Sequence, residues 1–167
     1  GTNALLEEKG ADVTLFITKG FEDLLLIGDQ KRSNLFDVNV KKTVPITSKV
    51  LSVNERMDAF GKPICKIDLP IVNPPNNKNQ AAAIAFINSH CNPEHEQELR
   101  SHLFQSGWRH VSSSSELAPA IKILPRTETA VVDAYLTPIM TEYLNGVSKH
   151  IKKGKLYVMT SAGGLVS

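Results

Sequence analysis

The uninterrupted apolar run from Ala82 to Ile87 restricts the possible folds of this chain more than any other stretch. Polar residues do not alternate with apolar ones in it, so it predicts a strand buried on both faces, as in a parallel sheet covered by helices. A helix pattern follows at once, with Asn92 as a favoured N-cap, Pro93 at the first helical position and Gly107 after the last turn. Proteins built this way bind ligands where the carboxyl ends of strands meet the amino ends of helices.

Patterns elsewhere predict a mixed, largely parallel α/β sheet with flanking helices and an added β-hairpin. Strands are expected at 13–18, 108–115 and 156–160, and helices at 2–9, 21–28 and 127–150. Residues 50–56 and 64–69 alternate on either side of the turn-forming sequence DAFGKP, which predicts the hairpin. In the first of these arms, Leu51, Val53 and Glu55 share one face.

Length and composition limit the classes of protein that fit. The 167 residues, 41% of them hydrophobic and 22% charged, are ordinary for one globular domain, and both ends look cut from a longer protein. We therefore expect residues 1–167 to be a single-domain fragment. No apolar run approaches the roughly 20 residues of a membrane span. A net charge of +2 is too small to argue for nucleic acid, and two distant cysteines without a signal peptide favour a cytoplasmic protein with free thiols.

Several side chains that could bind a metal or take part in catalysis lie where the central strand ends and its helix begins. His90, His95 and Glu96 are candidate metal ligands, because imidazole and carboxylate groups suit zinc or manganese. Their spacing matches no standard metal site, and the helix dipole alone explains an acidic residue at Glu96. An anion at the helix amino end, or a cluster that merely orders the loop, are the alternatives. Cys91 could act as a nucleophile, although a cysteine is more commonly a small hydrophobic residue.

A second candidate group lies in the polar segment 29–40. Asp29, Gln30 and Arg32 supply acceptors and donors that could hold an amide or a carboxylate, with Arg32 able to form two parallel hydrogen bonds. Loops of this composition are more often simply solvated. Arg126, near the start of the long helix, is expected to be a surface cation unless a carboxylate faces it. The lysines at 149–155 lack the interleaved aromatic residues of a nucleic-acid-binding surface.

Six stretches in this order resemble the hydantoinase A and 5-oxoprolinase family: TNALLEEKGA, TKGFEDLLLIGDQKRSNLFDV, NERMDAFGKP, SHCNPEHE, PRTETAVVDAYLTP and MTSAGGL. They extend over nearly the whole chain. The resemblance implies an actin-like ATPase architecture of the ribonuclease H-like type, in a parent enzyme that opens a cyclic amide with ATP hydrolysis. It further implies Mg²⁺, with Mn²⁺ or K⁺ in some members, and a hydantoinase B-like subunit or domain as partner.

The chain also departs from that family. The acidic double-glycine phosphate motif of the form Asp-x-Gly-Gly-Thr is absent, as is a second phosphate motif. We therefore expect this chain alone to be inactive and to bind no ATP. Its expected role is the substrate-side wall of the enzyme, formed by Asp29, Gln30 and Arg32, with the metal candidates as a second cluster. The alternatives are a subunit of an ATP-dependent ketone carboxylase and a non-catalytic docking module.

Overall fold

The computed structural model describes residues 10–28, 46–73, 75, 77, 79–150, 157–159 and 165–166. The strands are β1 (Asp12–Thr18), β2 (Thr47–Val53), β3 (Arg56–Met57), β4 (Pro63–Cys65), β5 (Gln80–Ala85), β6 (Val111–Ser113), β7 (Val158–Met159) and β8 (Leu165–Val166). The helices are α1 (Leu24–Ile27), α2 (Glu94–Gln105), α3 (Ser114–Leu117) and α4 (Ile123–His150). The helix predicted at 2–9 and the segment 29–40 lie outside the described residues.

Four strands form one sheet in the order β2-β1-β5-β6, and each neighbouring pair is parallel. The carboxyl ends of these strands, at Thr18, Val53, Ala85 and Ser113, therefore lie along one side of the sheet, which we call the carboxyl edge. The prediction of a largely parallel α/β sheet with flanking helices is confirmed. The central strand β5 is buried on both faces, as its unbroken apolar run predicted, and it has a parallel partner strand on each side.

The two faces of the sheet have separate hydrophobic cores. On one face, Ala83 and Ala85 of β5 belong to the same buried cluster as Ala130 and Ala134 of α4. Their small side chains allow the helix to approach the sheet closely. On the other face, Phe16, Ile84 and Leu99 are among the members of a second cluster, in which Phe16 meets Trp108 edge to face at 6.1 Å between ring centroids. Helices α4 and α2 thus cover opposite faces of the sheet.

The hairpin is present but smaller than the sequence predicts. Residues 47–53 join the main sheet beside β1, and only the two residues of β3 pair with β4 in the antiparallel sense. Period-two alternation shows which side chains share a face but does not show which strand is the partner. The turn itself is as predicted, since the Asp58 Oδ1 atom accepts hydrogen bonds of 2.8 Å from the backbone N–H groups of Phe60 and Lys62.

Element boundaries also differ from the prediction elsewhere. Helix α4 begins at Ile123 rather than at 127, and the strand expected over 108–115 is three residues long and continues into the short helix α3. Pro93 occupies the N-cap of α2, while the Asn92 Oδ1 atom accepts a hydrogen bond from the Glu94 N–H at 3.0 Å. In the described part of the chain, no helix is both long and apolar enough to cross a membrane.

Candidate functional site

Charged side chains are buried together at the carboxyl edge. The turns after β1, β2, β5 and β6 meet there with the first turns of α2 and α4. Glu96 and Arg126 are completely buried, and Glu55 and His95 are 3% and 5% exposed. Removing an ion from water costs several kcal/mol unless other groups compensate for the lost hydration. The hydrogen bonds of these four residues therefore decide whether the edge is stable.

The Glu96 carboxylate is held by five hydrogen bonds. Its Oε1 atom accepts from the Phe86 N–H at 2.8 Å and from the hydroxyl groups of Ser89 and Ser114 at 2.8 and 2.7 Å. Its Oε2 atom accepts from the backbone N–H and the hydroxyl of Ser115, at 2.9 and 2.6 Å. The ends of β5 and β6 are thus tied to the first turn of α2.

Arg126 completes this cluster from α4. Its Nη1 atom donates to the hydroxyls of Ser89 and Ser114, the latter at 2.7 Å, and lies 3.9 Å from Glu96 Oε1, while Nη2 donates to the Phe86 carbonyl at 2.9 Å. Burial lowers the pKa of Arg126, and the negative charge of Glu96 partly opposes that shift. The expectation of a surface cation is corrected, because a carboxylate does face this guanidinium. We call Glu96, Arg126, Ser89, Ser114 and Ser115 the Glu96 cluster.

A second set of buried polar groups crosses three adjacent strand ends. The Ile87 N–H, after β5, donates to Thr18 Oγ1 at 2.9 Å. The Thr18 hydroxyl, at the end of β1, donates to Glu55 Oε1, and Glu55 lies just after β2. The other oxygen of that carboxylate, Oε2, is 2.8 Å from His95 Nδ1 in α2. We call Thr18, Glu55 and His95 the Glu55 relay.

The loop between β5 and α2 also supports the hairpin. Asn88, with a positive φ of 57°, donates from its side chain to the Met57 carbonyl at 3.1 Å, and Asn92 donates to the Gly61 carbonyl at 2.9 Å. Between them, His90 Nε2 lies 3.2 Å from the sulfur of the exposed Cys91. Side-chain amides of the loop therefore fix the position of the hairpin turn against the carboxyl edge.

The structure places the three metal candidates in different surroundings. His95 faces Glu55, Glu96 faces serine hydroxyls and backbone donors, and His90 faces a thiol. Within the described ranges, no group of three or more His, Cys, Asp or Glu side chains is arranged to hold a metal ion. Metal binding by these residues stays a prediction. The substrate-binding candidates Asp29, Gln30 and Arg32 lie outside the described residues and stay a prediction as well.

Sequence reasoning did not identify Thr18, Glu55 or the three serines as site residues. One signal pointed to Glu55, because it continues the buried face of Leu51 and Val53, where a carboxylate requires a partner. The serines carried no comparable signal. Ser114 and Ser115 were expected in the strand at 108–115, and they bind Glu96, which is 18 and 19 positions away along the chain.

A cavity of about 820 Å³ lies at the opposite edge of the sheet, by the amino ends of β1, β5 and β6. Its wall includes Arg109, His110 and the second half of α4. Burial lowers the pKa of His110, and the positive charge of Arg109 lowers it further. Because it lies at the opposite edge of the sheet, the cavity is separate from the two buried sets of polar residues at the carboxyl edge.

Comparison with known proteins gives two family matches. Residues 1–106 match the model described as "Hydantoinase/oxoprolinase N-terminal region", and residues 126–167 match "Hydantoinase/oxoprolinase". A 5-oxoprolinase from Saccharomyces cerevisiae is 34% identical over 200 residues, covering 99% of this chain and 16% of that protein. The alpha subunit of a caprolactamase from Pseudomonas jessenii is 30% identical over 156 residues, covering 87% of this chain and 22% of that protein. The chain thus spans less than a third of the length of each relative.

Two solved structures have a similar fold. The crystal structure of the ATP-dependent caprolactamase from Pseudomonas jessenii superposes with a TM-score of 0.80 at 27% identity, covering 98% of this chain and 26% of that one. The nucleotide-free structure of acetone carboxylase gives a TM-score of 0.68 at 18% identity, again covering 98% of this chain and 26% of that one. At this identity the similarity shows the fold alone. Both similarities agree with the α/β, actin-like ATPase architecture expected from the sequence.

Proposed function

The chain belongs to the hydantoinase/oxoprolinase family, and we propose that it is an internal region of an ATP-dependent cyclic amidase, which hydrolyses the ring of a cyclic amide. The observation that carries the proposal is the TM-score of 0.80 to an ATP-dependent caprolactamase over 98% of the chain. Similarity to a 5-oxoprolinase over 99% of the chain supports the same chemical class. We further propose that residues 1–167 act as one domain, because α4, in the second matched region, packs on the sheet formed mainly by the first.

Within such an enzyme, the carboxyl edge would form one wall of the site. Amide resonance protects a ring carbonyl carbon from water, and ATP would supply activation of the carbonyl oxygen when it is bound. The described residues do not fit the phosphates of ATP, because the donors at the edge, including Arg126 and Ser115, already bind Glu96 or its neighbours. We therefore propose that the phosphates bind to other parts of the enzyme, and that the Glu96 cluster supports the wall.

We also propose a metal-binding role for side chains at the carboxyl edge. Mg²⁺ or K⁺ that balances charge on the phosphates would bind with them in other parts of the enzyme, whereas His90, His95 and Glu96 are the candidate ligands of a divalent ion such as Mn²⁺ at the carboxyl edge. Glu96 would have to exchange some of its five donors to bind a cation. Titration of the 167-residue chain with Mn²⁺ alone, followed by the paramagnetic broadening of histidine resonances, tests the proposal. Broadening of His95 and His90 together is the expected result, and the absence of broadening would remove the metal role.

We propose that Asp29, Gln30 and Arg32 contact the amide or carboxylate of the substrate. An arginine that forms two charge-assisted hydrogen bonds to a carboxylate contributes about 1.5–3 kcal/mol per bond. Arg32→Lys in the full-length enzyme keeps the charge and removes the paired geometry, so KM should rise by about tenfold or more. Lys31→Ala, at the neighbouring position, is the control and should leave KM within about twofold. Unchanged kinetics in the Arg32 variant would remove it from the site.

The activity is tested on the full-length protein that contains this chain. Incubation with 5-oxoproline, hydantoin or caprolactam and with MgATP should release ADP and ring-opened amino acid together, and omission of either component should stop both. Ring opening that does not require ATP would contradict the proposal. Calorimetric titration of the 167-residue chain with MgATP should give no saturable heat, and clear binding would contradict the assignment of the phosphates to other parts of the enzyme.

A ketone carboxylase is the second candidate, favoured by the similarity in fold to acetone carboxylase. ADP release that requires acetone and bicarbonate, with no turnover of cyclic amides, would support it over the amidase. In either case we propose a partner, because the caprolactamase relative is named as an alpha subunit. A hydantoinase B-like subunit or domain in the cytoplasm is the partner that we expect. Co-purification of the full-length protein with the product of such a gene tests this expectation.

A further inference from the structure

The hydrogen bonds of the Glu55 relay determine which atom carries each proton. A backbone N–H can only donate, so Ile87 makes the Thr18 oxygen an acceptor. The hydroxyl proton of Thr18 is then directed to Glu55 Oε1, which is the contact seen in the structure. An ionised carboxylate can only accept, so the hydrogen bond between Glu55 Oε2 and His95 Nδ1 requires a proton on Nδ1.

This order determines the tautomer of the histidine. A neutral imidazole has one N–H group and one nitrogen with a free electron pair. When Glu55 places the proton on Nδ1, the electron pair belongs to Nε2. The relay is 5% or less exposed at Glu55 and His95, so bulk water does not compete for these hydrogen bonds.

The geometry assigns Thr18 and Glu55 as positioning residues that hold His95 in the Nδ1–H tautomer, which leaves the electron pair on Nε2. Carboxylates orient catalytic and metal-binding histidines in this way in many proteins. The relay joins the ends of β2, β1 and β5, which are neighbours in the sheet, so its geometry is fixed by the parallel pairing itself. The tautomer does not depend on the identity of the reaction.

The chemical use of Nε2 rests on the proposed function. With Nδ1 held by Glu55, Nε2 is the nitrogen of His95 that can contact a reacting group, and its electron pair can accept a hydrogen bond from the water molecule that attacks the ring carbonyl carbon. In the Nε2–H tautomer the same nitrogen could only donate, so the tautomer set by Glu55 decides whether His95 can orient that water.

The tautomer can be measured in the 167-residue chain by long-range proton–nitrogen NMR of ¹⁵N-labelled imidazole rings, at a pH where imidazoles are neutral. His95→Gln identifies the resonances of His95. Two other histidines are internal references, because His102 Nε2 faces the Pro70 carbonyl at 3.1 Å and His150 Nδ1 faces the Gly146 carbonyl at 2.8 Å. A carbonyl only accepts, so His102 must carry its proton on Nε2 and His150 on Nδ1. His95 is expected to match His150.

Two variants test the order of the protons. In Glu55→Gln, the hydroxyl of Thr18 still needs an acceptor and takes the amide oxygen, so the amide NH₂ faces Nδ1 and His95 should change to the Nε2–H tautomer. In Thr18→Val with Glu55→Gln, the amide can rotate and the Nδ1–H tautomer should return. An Nε2–H signal in the unsubstituted chain, protons on both nitrogens throughout the pH range, or no change in Glu55→Gln would overturn the assignment.

Kinetics of the full-length enzyme separate this inference from the proposed function. Glu55→Gln should lower kcat by about a hundredfold or more with KM little changed, and addition of Thr18→Val, which restores the Nδ1–H tautomer, should recover part of kcat. A merely structural role would lower kcat further in the double variant, and that result would refute the positioning role. If the full-length protein opens no cyclic amide at all, the proposed function fails, whereas the NMR result still decides the tautomer.

Discussion

Arg126 and Glu96 form a completely buried ion pair whose charged atoms lie 3.9 Å apart and are bridged by the hydroxyls of Ser89 and Ser114. Each hydroxyl accepts from the guanidinium and donates to the carboxylate. Because α4 and α2 cover opposite faces of the sheet, this pair connects the two layers around the carboxyl edge. The connection depends on both charges, since either one alone would be buried without compensation.

Replacing Arg126 by methionine should therefore be strongly destabilising. The variant leaves the Glu96 charge buried, and the loss of one partner of such a pair costs about 3–5 kcal/mol. The free energy of unfolding is measured by urea denaturation of the 167-residue chain. Arg100→Met is the matched control, because Arg100 pairs with Glu116 at 3.3 Å with side chains 37% and 44% exposed. An exposed pair contributes at most about 1 kcal/mol, so equal losses in the two variants would contradict this view of the buried pair.

The lowered pKa of His110 should make the protein less stable in acid. The folded state binds the proton of His110 at a lower pH than the unfolded state, whose value is near 6.5. Stability from this residue is therefore fully present above about pH 6.5 and declines as the pH falls toward the folded pKa. His110→Asn should reduce the difference between the unfolding free energies at about pH 8 and about pH 5.5. Arg109→Gln removes the smaller cause and should reduce that difference less.

The sequence predicts those parts of the fold whose pattern lies within one short segment of the chain. The unbroken apolar run of β5 and the cap residues of α2 are local features, and both elements form within two residues of the expected positions. The partner of residues 47–53 is not a local feature. Val50 and Val53 fit a hairpin arm or a sheet strand equally well by alternation, and burial against β1 decides between them.

The candidate site was predicted in part for the same reason. His95 and Glu96 were placed correctly, because the end of a strand and the start of a helix are readable from sequence. Their partners are far away along the chain, since Glu55 and His95 are 40 positions apart and Ser89 and Arg126 are 37 positions apart. Spacing gives no indication of such contacts. The fold alone brings them together, at the common edge of parallel strands.

Gly61 should be intolerant of a side chain at the tip of the hairpin. Its φ is +79°, and a Cβ atom there would lie 2.9 Å from the Cβ of Asn92, whose amide holds the hairpin turn. Gly61→Ala should cost about 1–3 kcal/mol through backbone strain and displacement of this contact. Gly20→Ala is the control, with a φ of +92° and nothing within 4 Å of the added atom. Both variants carry strain, so a larger loss for Gly61 in urea denaturation measures the contact with the loop.

Gly10 and Tyr135 should be energetically coupled, because a Cβ atom on Gly10 would overlap the Tyr135 ring. The next residue, Ala11, donates its N–H to the Tyr135 carbonyl at 3.0 Å, so the backbone before β1 cannot move away from α4 without losing that bond. Gly10→Ala alone should destabilise the protein by about 1–3 kcal/mol, the usual cost of overpacking. Tyr135→Leu removes the outer part of the ring and creates space for the methyl group.

The double variant should therefore be more stable than the sum of the two single losses predicts. A double-mutant cycle, with unfolding free energies from urea denaturation, gives the coupling, which should be about 1 kcal/mol or more in favour of the double variant. Additive losses would mean that the start of β1 adjusts freely and that the ring does not fix its distance from α4. A positive coupling would instead show that Gly10 lets the start of β1 lie close to α4, as the small alanines of the core do further along the sheet.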